Sequence, residues 1–405
     1  MSYLKREIEP WIEKLSKQFA AILLTGPRQV GKTTLLQELS HHSRQYISFD
    51  DLALRELAKK DPRLFLSQYK APLLLDEIQY VPELLPYLKM EIDNQKRPGM
   101  YWLTGSQPFH VMKNISESLT GRVAVLSLLG FSQREKKHKI DGIIPFLPDQ
   151  SKLFQDNNHK LHDDIFQYIY RGSMPALNIE NPPELETYLN SYLQTYLLRD
   201  LRDLSQVTDL TKFTRFIRLC AARTGQLLNY SDLARDADIS VPTAKHWISI
   251  LENSYIVILI QPYHNNISKR LVKTPKLYFT DTGLCAYLTG WSSPKTLMNG
   301  AMSGAIFETF VVTEIIKSYW NAGKQANISF YRDKDMKEID LLIESDNTLY
   351  PVEIKLSGTV SRDWVKNFGV LNKINKEIGT GAVICLTETP QFINENNIAI
   401  NVGQI

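Results

Sequence analysis

A phosphate-binding loop near the start of the chain constrains the fold more than any other sequence feature. Residues 26–33 read GPRQVGKT, the full G-x-x-x-x-G-K-T pattern, between an apolar run and a run with helical periodicity. The two glycines allow a tight backbone curl, so that several N–H groups and a helix N-terminus converge on phosphate oxygens. The pattern therefore predicts an α/β core with a nucleotide site. An ordinary glycine-containing turn is the alternative, and the two flanks make it the weaker interpretation.

The loop predicts binding of ATP or GTP together with Mg²⁺. Lys32 would supply positive charge near the outer phosphates, and the Thr33 hydroxyl is placed to reach the metal ion. The candidate nucleotide contacts are Gly26, Pro27, Arg28, Gln29, Val30, Gly31, Lys32, Thr33 and Thr34.

Short apolar runs alternate with helical segments up to about residue 133, as expected for buried parallel strands with crossover helices. The predicted strands are 20–24, 46–49, 72–75, 100–104 and 123–128. The polar stretch 134–164 has no sustained period and predicts a linker or an inserted loop. Helical sequence follows to about residue 223, and then a helix-turn-helix pattern with short strands.

Composition bounds the class of protein. The chain has 405 residues, 43% of them hydrophobic, and a net charge of +3, which neither demands nor excludes nucleic acid. The cysteines are far apart in apolar contexts and predict buried thiols in a reducing compartment rather than a zinc site: Cys220, Cys285 and Cys385. The charged N-terminus and the short apolar runs predict a cytoplasmic protein without membrane contact.

Acidic and polar residues at the ends of the predicted strands extend the nucleotide site. Asp76 and Glu77 follow an apolar run, so Asp76 would join the Mg²⁺ shell and Glu77 would polarise the attacking water. Ser106 follows the next strand and could sense the γ-phosphate, or could belong to an ordinary turn. Arg122 could supply charge to the transition state from its own subunit or from a neighbour in a homo-oligomer, or could simply be solvated.

The motifs GPRQVGKTTLL, YISFDD, LLLDEIQ, LTGSQ and LTGRVAVLSLLGF, in this order, resemble the N-terminal half of a prokaryotic family of AAA-type ATPases. In that family the ATPase is fused to a C-terminal domain of unknown function, to which YRGSMPAL, YLQTYLLRDL and PVEIK are similar. The resemblance implies an AAA-like core and Mg²⁺-dependent ATP hydrolysis, carried by Lys32, Thr33, Asp76 and Glu77. Ser106 departs from the amide that many AAA proteins have at this position.

The middle of the chain predicts a winged helix that contacts DNA. Ser231 is expected to cap a helix that ends at Ala237, and Pro242 opens a second helix. On the second helix one face is apolar, while Thr243, Lys245, His246 and Ser249 point away from it and would enter the major groove. Lys269, Arg270 and Lys273 near the wing would touch phosphates. Docking of a protein or of another domain is the alternative use of this fold.

The last segment predicts a second chemical site. The alternation in 337–344 places Ile339, Leu341 and Ile343 on one strand face with Asp340 on the other, and the next strand puts Glu353 and Lys355 on a common face. This is the arrangement of PD-(D/E)xK nucleases, in which Asp340 and Glu353 would hold a divalent ion and Lys355 would orient the nucleophile. Glu308 matches the additional helical acid of many nucleases in that superfamily.

The sequence therefore predicts four units: a P-loop AAA-like ATPase core with a parallel sheet (1–133), a linker and helical region (134–205), a winged-helix domain (206–290) and a mixed α/β restriction-endonuclease-like domain (291–405). One functional hypothesis is an ATP-dependent DNA-processing enzyme whose candidate cleavage residues are Glu308, Asp340, Glu353 and Lys355. The other is an ATP-controlled switch that binds DNA or a protein and does not cut.

Overall fold

The computed structural model describes residues 3–106, 118–140, 144–148, 165–197, 209–264 and 274–405. The N-terminal part contains a parallel sheet in the order β2-β3-β4-β1-β5. Each of the five predicted strands is confirmed with its ends within one residue of the prediction: β1 Ala21–Thr25, β2 Gln45–Ser48, β3 Leu73–Asp76, β4 Tyr101–Gly105 and β5 Val123–Ser127.

Helices cover both faces of this sheet, which explains why its strands read as continuous apolar runs. Successive side chains of β1 enter different cores: Leu23 packs in a cluster with Phe65, whereas Ile22 packs in a cluster with Leu36. The helices of this part are α1 Glu9–Ser16, α2 Lys32–Ser40, α3 Leu52–Lys60, α4 Pro62–Gln68 and α5 Leu85–Gln95.

The segment directly after the sheet is folded where the sequence predicts a linker. Residues Gln133–Lys136 form a short helix, α6, whose capping box joins Ser132 and Glu135. Glu135 is fully buried and accepts a hydrogen bond of 2.9 Å from Arg6 Nε. The predicted linker or inserted loop therefore begins with a short helix, which a buried ion pair with the N-terminal segment holds in place.

The middle of the chain is mainly helical and contains a small antiparallel sheet in the order β6-β8-β7. The two predicted adjacent helices are present, but the first is capped by Asn229, which accepts from the N–H groups of Ser231 and Asp232; the prediction of Ser231 as the cap is wrong. The elements are α7 Ile165–Arg171, α8 Leu185–Ser191, α9 Leu210–Ala222, β6 Gln226–Leu227, α10 Tyr230–Ala237, α11 Val241–Asn253, β7 Val257–Ile260, β8 Lys276–Phe279, α12 Thr282–Leu288 and α13 Pro294–Met298.

The C-terminal part packs a long helix, α14 Ser303–Asn321, against a mixed sheet in the order β14-β15-β13-β11-β10-β9, with β12 paired to β11. The predicted hairpin is present as the antiparallel pair β10 and β11. The strands are β9 Ile328–Arg332, β10 Glu338–Ser345, β11 Thr348–Ile354, β12 Glu377–Ile378, β13 Gly381–Cys385, β14 Gln391–Asn394 and β15 Asn397–Asn401.

A register shift in β10 changes one predicted face. The pairing with β9 is irregular between Ile339 and Leu342, and these two residues share one apolar cluster. Leu341 and Ile343 pack in the other cluster. The prediction that Ile339 shares their face is therefore wrong, because the irregularity interrupts the strict alternation of side chains.

One apolar cluster is shared by the middle helices and the C-terminal sheet, and it includes Phe216, Trp247, Phe307 and Ile354. All three cysteines are free and buried, as expected. Within the described ranges, no helix is both long and apolar enough to cross a membrane.

Candidate functional site

The parallel sheet brings the predicted nucleotide residues, except Arg122, to one edge. Thr25 ends β1 and pairs with Gly105 at the end of β4, while Asp76 ends β3 on the other side of β4. Because the strands are parallel, the loop that follows β1 and the polar residues that follow β3 and β4 emerge together. The order of the strands places the end of β4 between the loop and Asp76.

Backbone geometry explains why the loop needs its two glycines. Gly26 has φ of +147°, and a Cβ at this position would lie 2.0 Å from the carbonyl oxygen of Leu128. Gly31 has φ of +86° and stands as the N-cap of α2. The backbone amides at the start of α2 therefore face the space that follows the loop, which suits an anion.

Lys32 is folded back onto the loop. Its Nζ donates to the carbonyl oxygens of Gly26 and Pro27, at 2.9 and 2.7 Å. Burial lowers the pKa of Lys32 to about 8, although the charges of Glu77 and Asp76 act in the opposite direction. The buried ammonium has only carbonyl partners, and negatively charged phosphate oxygens would accept stronger hydrogen bonds from it.

A hydroxyl and a carboxylate stand where a nucleotide-bound Mg²⁺ would need them. Thr33 Oγ1 donates to Asp76 Oδ1 at 2.7 Å, and Tyr46 OH donates to Asp76 Oδ2 at 3.0 Å. Thr104 also donates to Asp76 Oδ1. Mg²⁺ in such sites takes one or two protein oxygens plus phosphate oxygens and water, so Thr33 and Asp76 fit this donor set.

Glu77 is oriented by two polar neighbours. Its Oε2 accepts a hydrogen bond of 3.0 Å from Ser106 Oγ and another from the Gln79 amide. Gln79 Nε2 also lies 3.2 Å from Ser106 Oγ, so the three side chains form one network. The sequence reasoning missed Gln79 and Thr104, although Gln79 stands in the LLLDEIQ motif.

The remaining loop residues contact other parts of the protein. Arg28 donates to Tyr80 OH at 3.0 Å, and the side chain of Gln29 accepts from Tyr188 OH. The carbonyl of Val30 accepts from Arg6 Nη1 at 3.0 Å, whereas Thr34 is exposed. The loop is thus braced from three directions.

Arg122 lies at the other edge of the parallel sheet. It directly precedes β5, whose first residue pairs with Ala21 at the start of β1. Its guanidinium pairs with Asp93 through contacts of 2.6 and 3.0 Å. The structure therefore does not bring Arg122 to the loop of its own chain, and a role in a neighbouring subunit remains a prediction.

The C-terminal candidates come together on α14, β10 and β11. The backbone N–H of Ile354 donates to Asp340 Oδ2 at 2.8 Å, which ties the two strands at the candidate residues. Lys355 Nζ lies 2.6 Å from Glu353 Oε1. Glu353 is buried, and its Oε2 has no hydrogen-bond partner among the described residues.

Three residues that the sequence analysis missed complete this cluster: Lys276 and Tyr278 on β8, and Glu338 at the start of β10. Lys276 Nζ lies 3.2 Å from Glu308 Oε1, 2.6 Å from Glu338 Oε1 and 4.0 Å from Asp340 Oδ1. Tyr278 OH donates to Glu308 Oε1 at 2.6 Å. No sequence signal pointed to Lys276 and Tyr278, because they precede the motif and lie on a strand of another sheet.

The cluster does not fit a divalent metal ion in this arrangement. Within the part of the chain that the structure describes, no three histidine, cysteine or acidic side chains converge as metal ligands would. An ammonium group of the chain itself lies between Glu308 and Asp340. The oxygens that the nuclease motif would offer to a metal therefore face a lysine.

Burial and like charge raise the carboxylate pKa values in this cluster. Burial, followed by the charge of Asp340, raises the pKa of Glu353 to about 7. Burial also raises the pKa of Glu308 and of Asp340, and the charge of Lys276 acts against both shifts. For Lys276, burial lowers the pKa, but the three surrounding carboxylates raise it, and the net shift is upward.

Comparison with known proteins identifies three consecutive families. Residues 18–137 match "AAA domain", residues 162–295 match "Domain of unknown function (DUF8612)" and residues 303–405 match "Domain of unknown function (DUF4143)". An uncharacterised protein of Mycobacterium tuberculosis is 27% identical over 358 residues, covering 88% of this chain and 75% of that protein. An uncharacterised protein of Methanocaldococcus jannaschii is 26% identical over 340 residues, covering 76% of this chain and 70% of that protein.

Among solved structures, a Walker-type ATPase of Pyrococcus abyssi aligns with a TM-score of 0.45 and 17% identity, covering 71% of this chain and 96% of that chain. The RuvB Holliday junction branch migration motor of Thermotoga maritima aligns with a TM-score of 0.30 and 16% identity, covering 62% and 87%. The chain thus contains an AAA domain followed by two domains of unknown function, and the sequence relatives are uncharacterised prokaryotic proteins.

Proposed function

We propose that the chain binds ATP with Mg²⁺ and hydrolyses it at the loop of the AAA domain. The observation that carries this proposal is the single polar network at the edge of the parallel sheet. It joins Thr33 to Asp76 at 2.7 Å and Glu77 to Ser106 at 3.0 Å, beside a buried lysine. Binding, metal and water-activating groups are thus within one constellation.

Each residue has a role that follows from its position. The loop amides and Lys32 would bind the outer phosphates, and Thr33 and Asp76 would hold Mg²⁺, which withdraws charge from the phosphate oxygens. Glu77 would accept a hydrogen bond from the attacking water and orient it in line with the bond to the leaving ADP. Ser106 and Gln79 keep the Glu77 carboxylate in one orientation, so little reorganisation is needed.

Phosphate release and nucleotide binding test this assignment separately. Lys32→Ala should lose binding and turnover together, whereas Glu77→Gln should retain ATP binding and lose turnover by about 100-fold or more. Glu83→Gln, which alters an exposed glutamate of the same domain, should behave as the wild type. Wild-type turnover in Glu77→Gln would show that another group orients the water, and wild-type behaviour of Lys32→Ala would refute the site.

We further propose that the middle segment is a winged helix that contacts DNA. Helices α10 and α11 stand next to the small sheet, and Lys245 and His246 are exposed on α11 while Trp247 and Ile248 face the core. Other basic groups of the segment are engaged, since Lys212 pairs with Asp238 at 2.7 Å. The predicted phosphate contacts Lys269, Arg270 and Lys273 lie outside the described residues.

Fluorescence anisotropy with labelled duplex DNA over a range of salt concentrations tests this role. Lys245→Glu should weaken binding and reduce the dependence on salt by about one counterion, because it removes a phosphate contact. Lys324→Glu changes an exposed lysine after α14 by the same charge and serves as the control. Equal effects of the two variants would show that the binding is a response to net charge and not to α11.

For the C-terminal part we propose a nuclease-like fold that binds without cutting, as in the second hypothesis from the sequence. Lys276 between Glu308 and Asp340 favours this alternative over an active nuclease. Supercoiled and branched DNA should remain intact with Mg²⁺ or Mn²⁺, with or without ATP. Cleavage that disappears in Glu353→Ala would refute the binding role and restore the nuclease hypothesis.

A further inference from the structure

The position of Lys276 has a consequence for the chemistry of the C-terminal cluster. Lys276 is the first residue of β8, and its side chain is only 5% exposed. Residues 276 and 278 lie on the same side of the strand, and both contact Glu308. The lysine therefore reaches into the cluster from a different sheet, with a tyrosine of the same strand beside it.

The charges around Lys276 are those of a cation site. Its Nζ lies 3.2 Å from Glu308, 2.6 Å from Glu338 and 4.0 Å from Asp340. A buried carboxylate requires a cation or hydrogen-bond donors, because desolvation of an unpaired charge is costly. Here the ammonium supplies that charge from within the chain.

A second observation shows that the cluster keeps capacity for a ligand. Glu353 Oε2 is buried and without a hydrogen-bond partner among the described residues, although Oε1 of the same carboxylate lies 2.6 Å from Lys355. Glu353 stands on β11, next to the strand that carries Asp340. This carboxylate oxygen is therefore available to a metal ion if the lysine leaves the cluster.

The two kinds of cation require different arrangements. An ammonium donates hydrogen bonds to carboxylate oxygens at about 2.8 Å and carries one charge, whereas Mg²⁺ binds oxygens at about 2.1 Å and carries two. With Lys276 in place the oxygens of Glu308 and Asp340 face a nitrogen, and a divalent ion would meet an uncompensated positive charge. Metal entry therefore requires the lysine to leave.

We propose that Lys276 is the resident cation of this cluster, that it excludes divalent metal, and that its removal lets the carboxylates of Glu308, Asp340 and Glu353 draw together into a metal site. The cluster then joins the middle segment to the C-terminal sheet instead of activating water. The inference rests on the proposed metal-free binding role of the C-terminal part, and it goes further by naming the group that keeps the site metal-free.

Mn²⁺ binding to the full chain without nucleotide, followed by electron paramagnetic resonance of the free ion, tests the inference. Lys276→Met should bind one more Mn²⁺ ion than the wild type, and its affinity for Mn²⁺ at the cluster should be at least about tenfold higher. Asp340→Asn in the same background should abolish this gain. Lys376→Met is the matched control, because Lys376 is also a partly buried lysine paired with a glutamate. Its partner Glu344 lies on β10, as Asp340 does, but away from the cluster.

A folded Lys276→Met protein that gains no Mn²⁺ would overturn the inference. If this variant does not fold, the wild type and Asp340→Asn decide, since equal Mn²⁺ binding by the two supports exclusion and weaker binding by Asp340→Asn overturns it. A wild type that binds Mn²⁺ through Asp340 but leaves DNA intact would refute only the role of Lys276. DNA cleavage that requires Glu353 would refute both this role and the proposed binding function.

Discussion

The buried carboxylate of Glu353 should make the protein less stable as the pH rises, and Glu353→Gln should remove this effect. Its pKa is raised from 4.5 to about 7, first by burial and then by the charge of Asp340. The folded state therefore holds a proton on Glu353 that the unfolded chain releases near pH 4.5. Between these two values the folded state binds more protons, so stability is fully present below 4.5 and is lost as the pH rises to 7.

The magnitude follows from the same two values. Each pKa unit corresponds to about 1.4 kcal/mol, so the ionised Glu353 lowers the free energy of unfolding by roughly 3 kcal/mol above pH 7. Glutamine keeps the size of the side chain and remains uncharged at every pH. The free energy of unfolding of Glu353→Gln relative to the wild type should therefore increase by about 2–3 kcal/mol between pH 5 and pH 8.

Urea unfolding of both proteins at several pH values measures this difference. Glu83→Gln removes an exposed carboxylate and should shift the free energy of unfolding by less than about 0.5 kcal/mol. If Glu353→Gln is destabilised more at pH 8 than at pH 5, the carboxylate is favourable in its ionised form. The ion pair with Lys355 would then outweigh burial, and the reasoning would be refuted.

Three further perturbations test the nucleotide loop and its support. Gly26→Ala should weaken ATP binding by more than about tenfold, because the new methyl group meets a backbone carbonyl at 2.0 Å. Gly304→Ala should bind ATP as the wild type does, because a Cβ at this position meets nothing within 4 Å. Titration with a fluorescent nucleotide compares the two variants. ATP binding at pH 8.5 should be accompanied by proton uptake, because the phosphate charges raise the pKa of Lys32 from about 8. Calorimetry in buffers of different ionisation enthalpy measures this uptake. A binding enthalpy that does not depend on the buffer would contradict the prediction. Arg6→Met should lower the free energy of unfolding by about 3–5 kcal/mol in urea titrations, because it leaves Glu135 buried without its cation, and a loss below about 1 kcal/mol would contradict this.

The sequence predicted which strand ends and which loop meet at this edge of the parallel sheet because its signals are local. A glycine loop, an apolar strand and the acids that follow it are each contiguous, and the parallel sheet then requires their ends to meet. The supporting contacts were not predictable in the same way. Thr104 is one of many threonines in apolar runs, and only the pairing of β3 with β4 brings it to Asp76.

The C-terminal cluster shows where such reasoning fails. Alternation correctly placed Val352 and Ile354 opposite Glu353, since β11 is regular there. It placed Ile339 on the wrong face, because a register shift in β10 is invisible in the order of apolar and polar residues. Lys276 was out of reach for another reason: its contacts join residues more than thirty positions apart on separate sheets, which no spacing rule describes.

Strand β8 connects the C-terminal cluster with the region of the nucleotide site. Lys276, at the start of β8, lies in the C-terminal cluster. Thr280 follows the end of β8, roughly 13 Å along the strand from Lys276, and its hydroxyl donates to the carbonyl oxygen of Tyr255 at 2.6 Å. The hydroxyl of Tyr255 lies 3.0 Å from Thr25 and 3.1 Å from Ser127, at the ends of β1 and β5.

Such continuity is not coupling in itself, because coupling requires that a ligand at one end change the free energy of binding at the other. If nucleotide binding moves Thr25, the displacement can reach Lys276 through the hydrogen bonds of Tyr255 and Thr280 and then along the backbone of β8. Metal binding by Lys276→Met would then depend on the nucleotide. Linkage requires the same factor to appear in both directions. An ATP analogue that leaves Mn²⁺ binding by Lys276→Met unchanged would therefore show that β8 holds the two sites together without relating their affinities.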